Sequence, residues 1–162
     1  MYELALSNSE VLAQDDDVVL DSTVGGLLRD AAFDSANILA LVEHDEKGQI
    51  GKCWTYSELL SDSEKLAIEL VRLFKKGERI AVWAPNIPEW VILEYASALA
   101  GLVLVTVNPA YRAAELEYVL KQSNAVALFL VPSFRGNPMQ QIAREVVSEI
   151  DAIDWFVIFR IF

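Results

Sequence analysis

The chain has 162 residues, 54% of them hydrophobic, enough for one domain with a real core. Its formal net charge is −11, so it gains nothing from phosphate counterion release and nucleic acid is not an expected partner. A lone cysteine, Cys53, excludes an internal disulfide framework and fits a reducing, cytoplasmic setting.

Residues 1–21 are polar and aperiodic, a lead-in without the basic start and apolar centre of a secretion signal. Asp15, Asp16 and Asp17 read as solvated charge, because no glycine turn or closing glutamate comes after them to make a calcium loop. Residues 22–162 read as one unit with no internal linker, and its apolar runs are strand-sized, too short to span a membrane. Ser22 or Thr23 is placed to cap a helix ending near Phe33, with Val24, Leu27, Leu28 and Ala31 inward. A strand at 38–43, turn residues Asp45, Glu46, Lys47 and Gly48, and a second strand through Cys53 and Trp54 predict an antiparallel hairpin. Thr55 and Glu58 have capping-box spacing, opening a helix to about Phe74 that buries Leu59, Leu66, Leu70, Val71 and Phe74. Lys75, Lys76 and Gly77 end it, with cations at the negative pole and a glycine able to turn left-handed.

The stretch 77–111 is the nucleus of the domain. Residues 80–84 form an apolar run of a length suited to a strand buried on both faces, stopped by Pro85. Asn86 can cap, Pro88 presets the first turn, and Glu89 suits the positive pole of a helix closed by Gly101. Residues 102–107 make a second buried strand, ended by Asn108 and Pro109. Strand, helix and strand of these lengths predict a right-handed crossover between parallel strands. A helix at 113–122 with Leu116, Val119 and Leu120 inward leads to a third parallel strand at 125–131. After a polar loop at 133–137, Asn137 and Pro138 open a helix through Ile142, Val146 and Ile150, and residues 155–162 read as a fourth apolar strand. The expected fold is therefore α/β: a parallel sheet with flanking helices, preceded by a helix and a hairpin. The first of the four strands is expected at the centre, flanked by the second and third, with the fourth beyond the third.

Ligands of open α/β sheets bind beyond the carboxyl ends of the strands, yet none of those ends here has the glycines of a phosphate-binding turn. Gly51-Lys52 falls in the hairpin and reads as turn chemistry. The only histidine, His44, sits at a strand end, and with Cys53 it offers two metal ligands at most. No catalytic or metal residue is assigned.

The segments RIAVWAPNIPEW and LVLVTVNPAYRAAELEYVL, joined by a helix ending in Ala-Gly, resemble the amino-terminal region of AMP-forming acyl-CoA synthetases. TVGGLLRDAAF and the run Trp54-Thr55-Tyr56-Ser57-Glu58-Leu59 agree, so the resemblance to this adenylate-forming superfamily extends from about Thr23 to the last residues. VNPAYRAAELEYVL is most similar to the fatty-acid and medium-chain ligases. The resemblance implies a parent reaction of acid, ATP and coenzyme A to acyl-CoA, AMP and pyrophosphate through an acyl-adenylate, with magnesium. It also implies a Ser/Thr/Gly-rich phosphate loop, a Tyr-x-x-Thr-Glu segment, a ribose-binding aspartate and a carboxyl-terminal lysine, none of which occurs in these residues. The chain is accordingly expected to be the front part of a large domain, truncated at its carboxyl end, serving as scaffold and one wall of the cleft. Arg135, read by itself, is a solvated loop arginine. By the resemblance it lies near the coenzyme A 3′-phosphate, with Asn108 lining the same side. Arg112, Glu115 and Glu117 read as an exposed helix face. The alternative is a free-standing, non-catalytic α/β module that binds a ligand or a protein. Its sequence signature would be a charged or capped last strand, whereas the apolar final strand is expected to expose an edge prone to self-association.

Overall fold

A computed structural model describes residues 20–44 and 47–159. Most of the lead-in with its aspartate run, Asp45 and Glu46 of the expected turn, and Arg160, Ile161 and Phe162 lie outside the described residues.

Helix α1 (Val24–Asp34) starts at Thr23, whose hydroxyl accepts the Gly26 N–H. Leu28 and Ala32 are buried, but Val24 and Leu27 are about half exposed, which corrects the inward face expected for them. The helix turns Gly25 and Leu28 toward its neighbours instead. A Cβ at Gly25 would stand 2.8 Å from Leu99 Cδ2, so glycine there permits close approach to the next layer.

Strands β1 (Leu39–His44) and β2 (Ile50–Thr55) pair antiparallel, with register shifts on either side of the Leu41–Val42 pairs. The Gly51-Lys52 pair lies within β2, not in the turn. Helix α2 (Tyr56–Leu73) comes directly after β2, and its capping box is complete. Thr55 Oγ1 accepts the Glu58 N–H at 3.3 Å, while Glu58 Oε2 accepts the Thr55 N–H at 2.8 Å. The latter bond, with a further one from the Thr55 hydroxyl, holds the Glu58 carboxyl below its ordinary value. One turn on, Asp62 accepts the Trp54 indole N–H at 3.1 Å. Burial pushes Asp62 upward, but hydrogen bonds from Lys65 and Trp54 outweigh it and leave the carboxyl lowered. Leu59, Leu70 and Phe74 are buried as expected; Val71 is 55% exposed, because Ser63, Ala67 and Leu70 form the inner stripe instead.

Four strands make the main sheet: β3 (Arg79–Trp83), β4 (Val103–Val107), β5 (Ala127–Leu130) and β6 (Trp155–Ile158). All neighbouring pairs are parallel and the order is β4-β3-β5-β6, with β3 and β5 interior. Residues Ile80, Ala81, Val82 and Trp83 are fully buried, as the apolar run predicts. The connecting helices are α3 (Pro88–Ala100), α4 (Ala113–Ser123) and α5 (Met139–Val147). The path from β3 to β4 runs one way across the sheet, and those from β4 to β5 and β5 to β6 run the other. Right-handed crossovers therefore put α3 on one face and α4 with α5 on the opposite face. Packing agrees: α3 lies against α1 and α2, and α4 against α5. Gly101 closes α3 with φ of 72°, but α2 ends at Leu73 with Phe74 in the capping position, so Gly77, at φ of 86°, shapes the turn into β3 and does not cap the helix as expected. Pro88 stands at the first position of α3, but Asn86 does not cap it; the capping position is Ile87, which has no side-chain acceptor. Asn137 does not cap α5 either, and its side chain turns to another loop.

Candidate functional site

In a sheet wound in both directions a crevice opens at the carboxyl ends, where the connections leave toward opposite faces. The ends of β3, β4 and β5 meet there. Trp83, fully buried at the end of β3, donates its indole N–H to the Asn108 carbonyl at 2.9 Å, pinning the segment after β4. Asn108 Oδ1 accepts the Ala110 N–H at 2.9 Å, and its carbonyl also accepts the Tyr111 N–H at 3.0 Å. These bonds close an Asx-type turn over Asn108, Pro109 and Ala110. Its exposed outer surface includes Asn108 itself.

After β5 the chain makes a tight reversal. Phe134 and Asn137 exchange backbone hydrogen bonds at 3.1 and 2.8 Å, with Arg135 and Gly136 between them at φ of 46° and 76°. Positive φ at both central residues is the signature of a type I′ turn. Arg135 is exposed, its guanidinium carbon 5.0 Å from the centroid of the Phe134 ring.

Asn137 is 4% exposed and joins the two segments. Its amide nitrogen donates to the carbonyls of Pro109 at 3.0 Å and Tyr111 at 2.9 Å, and its Oδ1 accepts from Arg112 Nη1 at 2.8 Å. Arg112 opens α4, where its backbone N–H donates to Glu115 Oε2 at 2.8 Å. Thus Arg112 and Glu115, expected as a plain exposed helix face, are partly engaged in fixing the turn. Among the described residues, neither Arg112 nor Arg135 has a carboxylate within ion-pair distance, and the four salt bridges lie elsewhere. In a chain of net charge −11 this leaves two uncompensated guanidinium groups on adjoining segments at one end of the sheet.

The structure thus brings Asn108 and Arg135 onto loops held together by a residue that local sequence patterns assign to helix capping. No short motif could have revealed Asn137, since its side-chain partners lie 25 to 28 residues away. The other candidates stay apart. His44 is exposed, its Nδ1 3.4 Å from the Gly48 carbonyl, and Cys53 pairs in register with Val42 rather than with His44. No group of three or more His, Cys, Asp or Glu side chains among the described residues is arranged to hold a metal. A concavity of about 310 Å³ lies between the hairpin and the start of α3, lined by Leu41, His44, Asn86, Ile87, Trp90 and Val91 among others. Within the described residues no helix is long and apolar enough to cross a membrane.

Comparison with known proteins agrees with this architecture. The family of AMP-binding enzymes matches residues 28–156. YngI of Bacillus subtilis (strain 168), which has an acyl-CoA synthetase name, is 38% identical over 133 residues, covering 82% of this chain and 24% of YngI. The mitochondrial medium-chain acyl-CoA ligase ACSF2 of Bos taurus is 35% identical over 132 residues, covering 81% of this chain and 21% of that protein. Among solved structures, acetoacetyl-CoA synthetase from Streptomyces lividans superposes with a TM-score of 0.77 at 25% identity, over 84% of this chain and 22% of its own. The chain therefore spans less than a quarter of the length of these relatives, and it belongs to the AMP-binding enzyme family.

Proposed function

We propose that these residues are the front part of a cytoplasmic acid–CoA ligase, supplying scaffold and one wall of the ligand cleft. In the longer protein a carboxylic acid and ATP would give acyl-adenylate and pyrophosphate, and coenzyme A would then displace AMP. The observation that carries this reading is the family match over a sheet whose carboxyl end holds two arginines, Arg112 and Arg135, that have no ion-pair partner among the described residues. Coenzyme A is the ligand these residues fit best. Its 3′-phosphate is a dianion suited to a planar guanidinium, and Arg135 is exposed with no carboxylate among the described residues within ion-pair distance. Asn108 lines the same side.

ATP and magnesium find no counterpart here. Offsetting the charge of a triphosphate requires preorganised backbone donors and cations, and these 162 residues contain no glycine-rich phosphate loop. The chain alone is therefore expected to show no ATP–pyrophosphate exchange with any fatty acid, whereas a longer protein that includes the phosphate loop should show it. Exchange by the chain itself would mean that the chemistry resides in residues assigned to scaffold. Absence of exchange in both would favour a non-catalytic binding module. In the longer protein, Arg135→Ala should weaken coenzyme A binding about tenfold, as for one lost charged hydrogen bond, and spare adenylate formation. Equal loss in both half-reactions would refute the assignment. The outer strands expose Val103 and Trp155, so weak self-association of the chain through these edges is expected. Sedimentation that stays monomeric at high concentration would rule it out.

A further inference from the structure

We propose that Asn137 is a positioning residue that makes the Asn108–Arg112 segment and the Phe134–Asn137 turn one preorganised unit for an anionic ligand. This rests on the coenzyme A reading of Arg135. A buried carboxamide has two N–H donors and an oxygen with two lone pairs, and at Asn137 both donors and the oxygen are engaged by one neighbouring segment. The two donors satisfy the Pro109 and Tyr111 carbonyls, which no regular element pairs. Arg112 fixes the orientation of the amide, because a guanidinium only donates and so demands that the oxygen face it.

The backbone of Asn137 meanwhile closes the turn that presents Arg135, two residues earlier. Arg135 is thus held at a positive φ by one side of Asn137, while the loop containing Asn108 is held by the other. Without the amide the two loops lose their mutual anchor, and the hydrogen bonds donated by Ala110, Tyr111 and Arg112 open more often. A phosphate seated between them must then pay for ordering that the native chain has already completed. Asn137 need not touch the ligand for this. Its effect passes through Arg135 and Asn108.

The test uses the 162-residue chain, with coenzyme A and its 3′-dephospho analogue as probes. The native chain should bind coenzyme A more tightly than the analogue. Asn137→Ala should abolish most of that preference, roughly a tenfold change, as expected for lost buried hydrogen bonds. In the ligand-free variant, amide exchange at Ala110, Tyr111 and Arg112 should quicken by a similar factor while the β3 and β5 amides keep their protection. Arg112→Met alters an exposed residue and should shift both readouts in the same direction by less. It also serves if Asn137→Ala does not fold. Preference retained in either folded variant, or unchanged exchange at the three amides, overturns the role of Asn137. Equal binding of the two probes by the native chain overturns the Arg135 reading itself and leaves the exchange measurement to judge Asn137.

Discussion

The main sheet and the hairpin are held by different physics. Strands β3 and β5 are paired on both sides and covered on both faces, and every residue of β5 is buried. Among the described residues of the hairpin strands only Trp54 is buried, and Leu39 and Ile50, with Ile38 just before β1, are more than half exposed. The hairpin is tied to α2 by polar contacts, the Thr55–Glu58 box and the Trp54–Asp62 hydrogen bond, together with an apolar cluster of Leu28, Trp54 and Leu59 that half-buried Ala40, Leu41, Tyr56 and Leu60 pack against. Area burial should therefore set the stability of the sheet, while protonation state and capping should set that of the hairpin junction.

The most severe break of this contrast is in the core. Leu128→Ala removes a fully buried side chain at the centre of β5 and should cost roughly 2–5 kcal/mol in urea unfolding. Ile50→Ala, an equal deletion on the exposed hairpin, should stay within about 0.5 kcal/mol. Similar losses at both sites would show that the hairpin is packed as tightly as the sheet. Next in size, Thr55→Ala should cost about 1 kcal/mol, the usual value for a lost N-cap. Amide exchange should quicken at Tyr56, Ser57 and Glu58 and leave β3 unaffected.

The smallest effect is in pH. The Glu58 carboxyl is held below its ordinary value of 4.5, and that of Asp62 below 3.8. A depressed carboxyl contributes stability above its unfolded value and loses it as pH falls through the folded one. The junction should hold from neutrality to about pH 4.5 and loosen below that, before the sheet does. The Trp54 indole N–H resonance should report the release of Asp62, and Glu58→Gln should flatten the Glu58 part of the response. A junction that melts together with the sheet in acid would erase the distinction.

The same contrast explains what could be read from sequence. The strands were legible as apolar runs, β3 and β4 most clearly because each lies between a glycine and a proline, and their order came from analogy with doubly wound sheets. The capping box was legible because Thr55 and Glu58 interact across three residues. Faces were harder. Val24, Leu27 and Val71 fit a helical period, but which stripe is covered depends on neighbours that periodicity does not specify. Asparagine was hardest. Asn86 and Asn137 both precede a proline or lie near one, where local rules assign capping, yet neither side chain caps. The partners of Asn137 come from a different crossover, and only the folded sheet brings them together.

The turn that presents Arg135 has a consequence for selection. At φ of 46° arginine is a poor choice, and Asn followed by Gly is the pair that such a turn favours. Arg135→Asn should raise the melting temperature slightly while removing the guanidinium. A library randomised at this position and sorted for heat resistance should drift to asparagine or glycine. The same library sorted for retention on immobilised coenzyme A should return to arginine, so the two pressures would pull one residue in opposite directions.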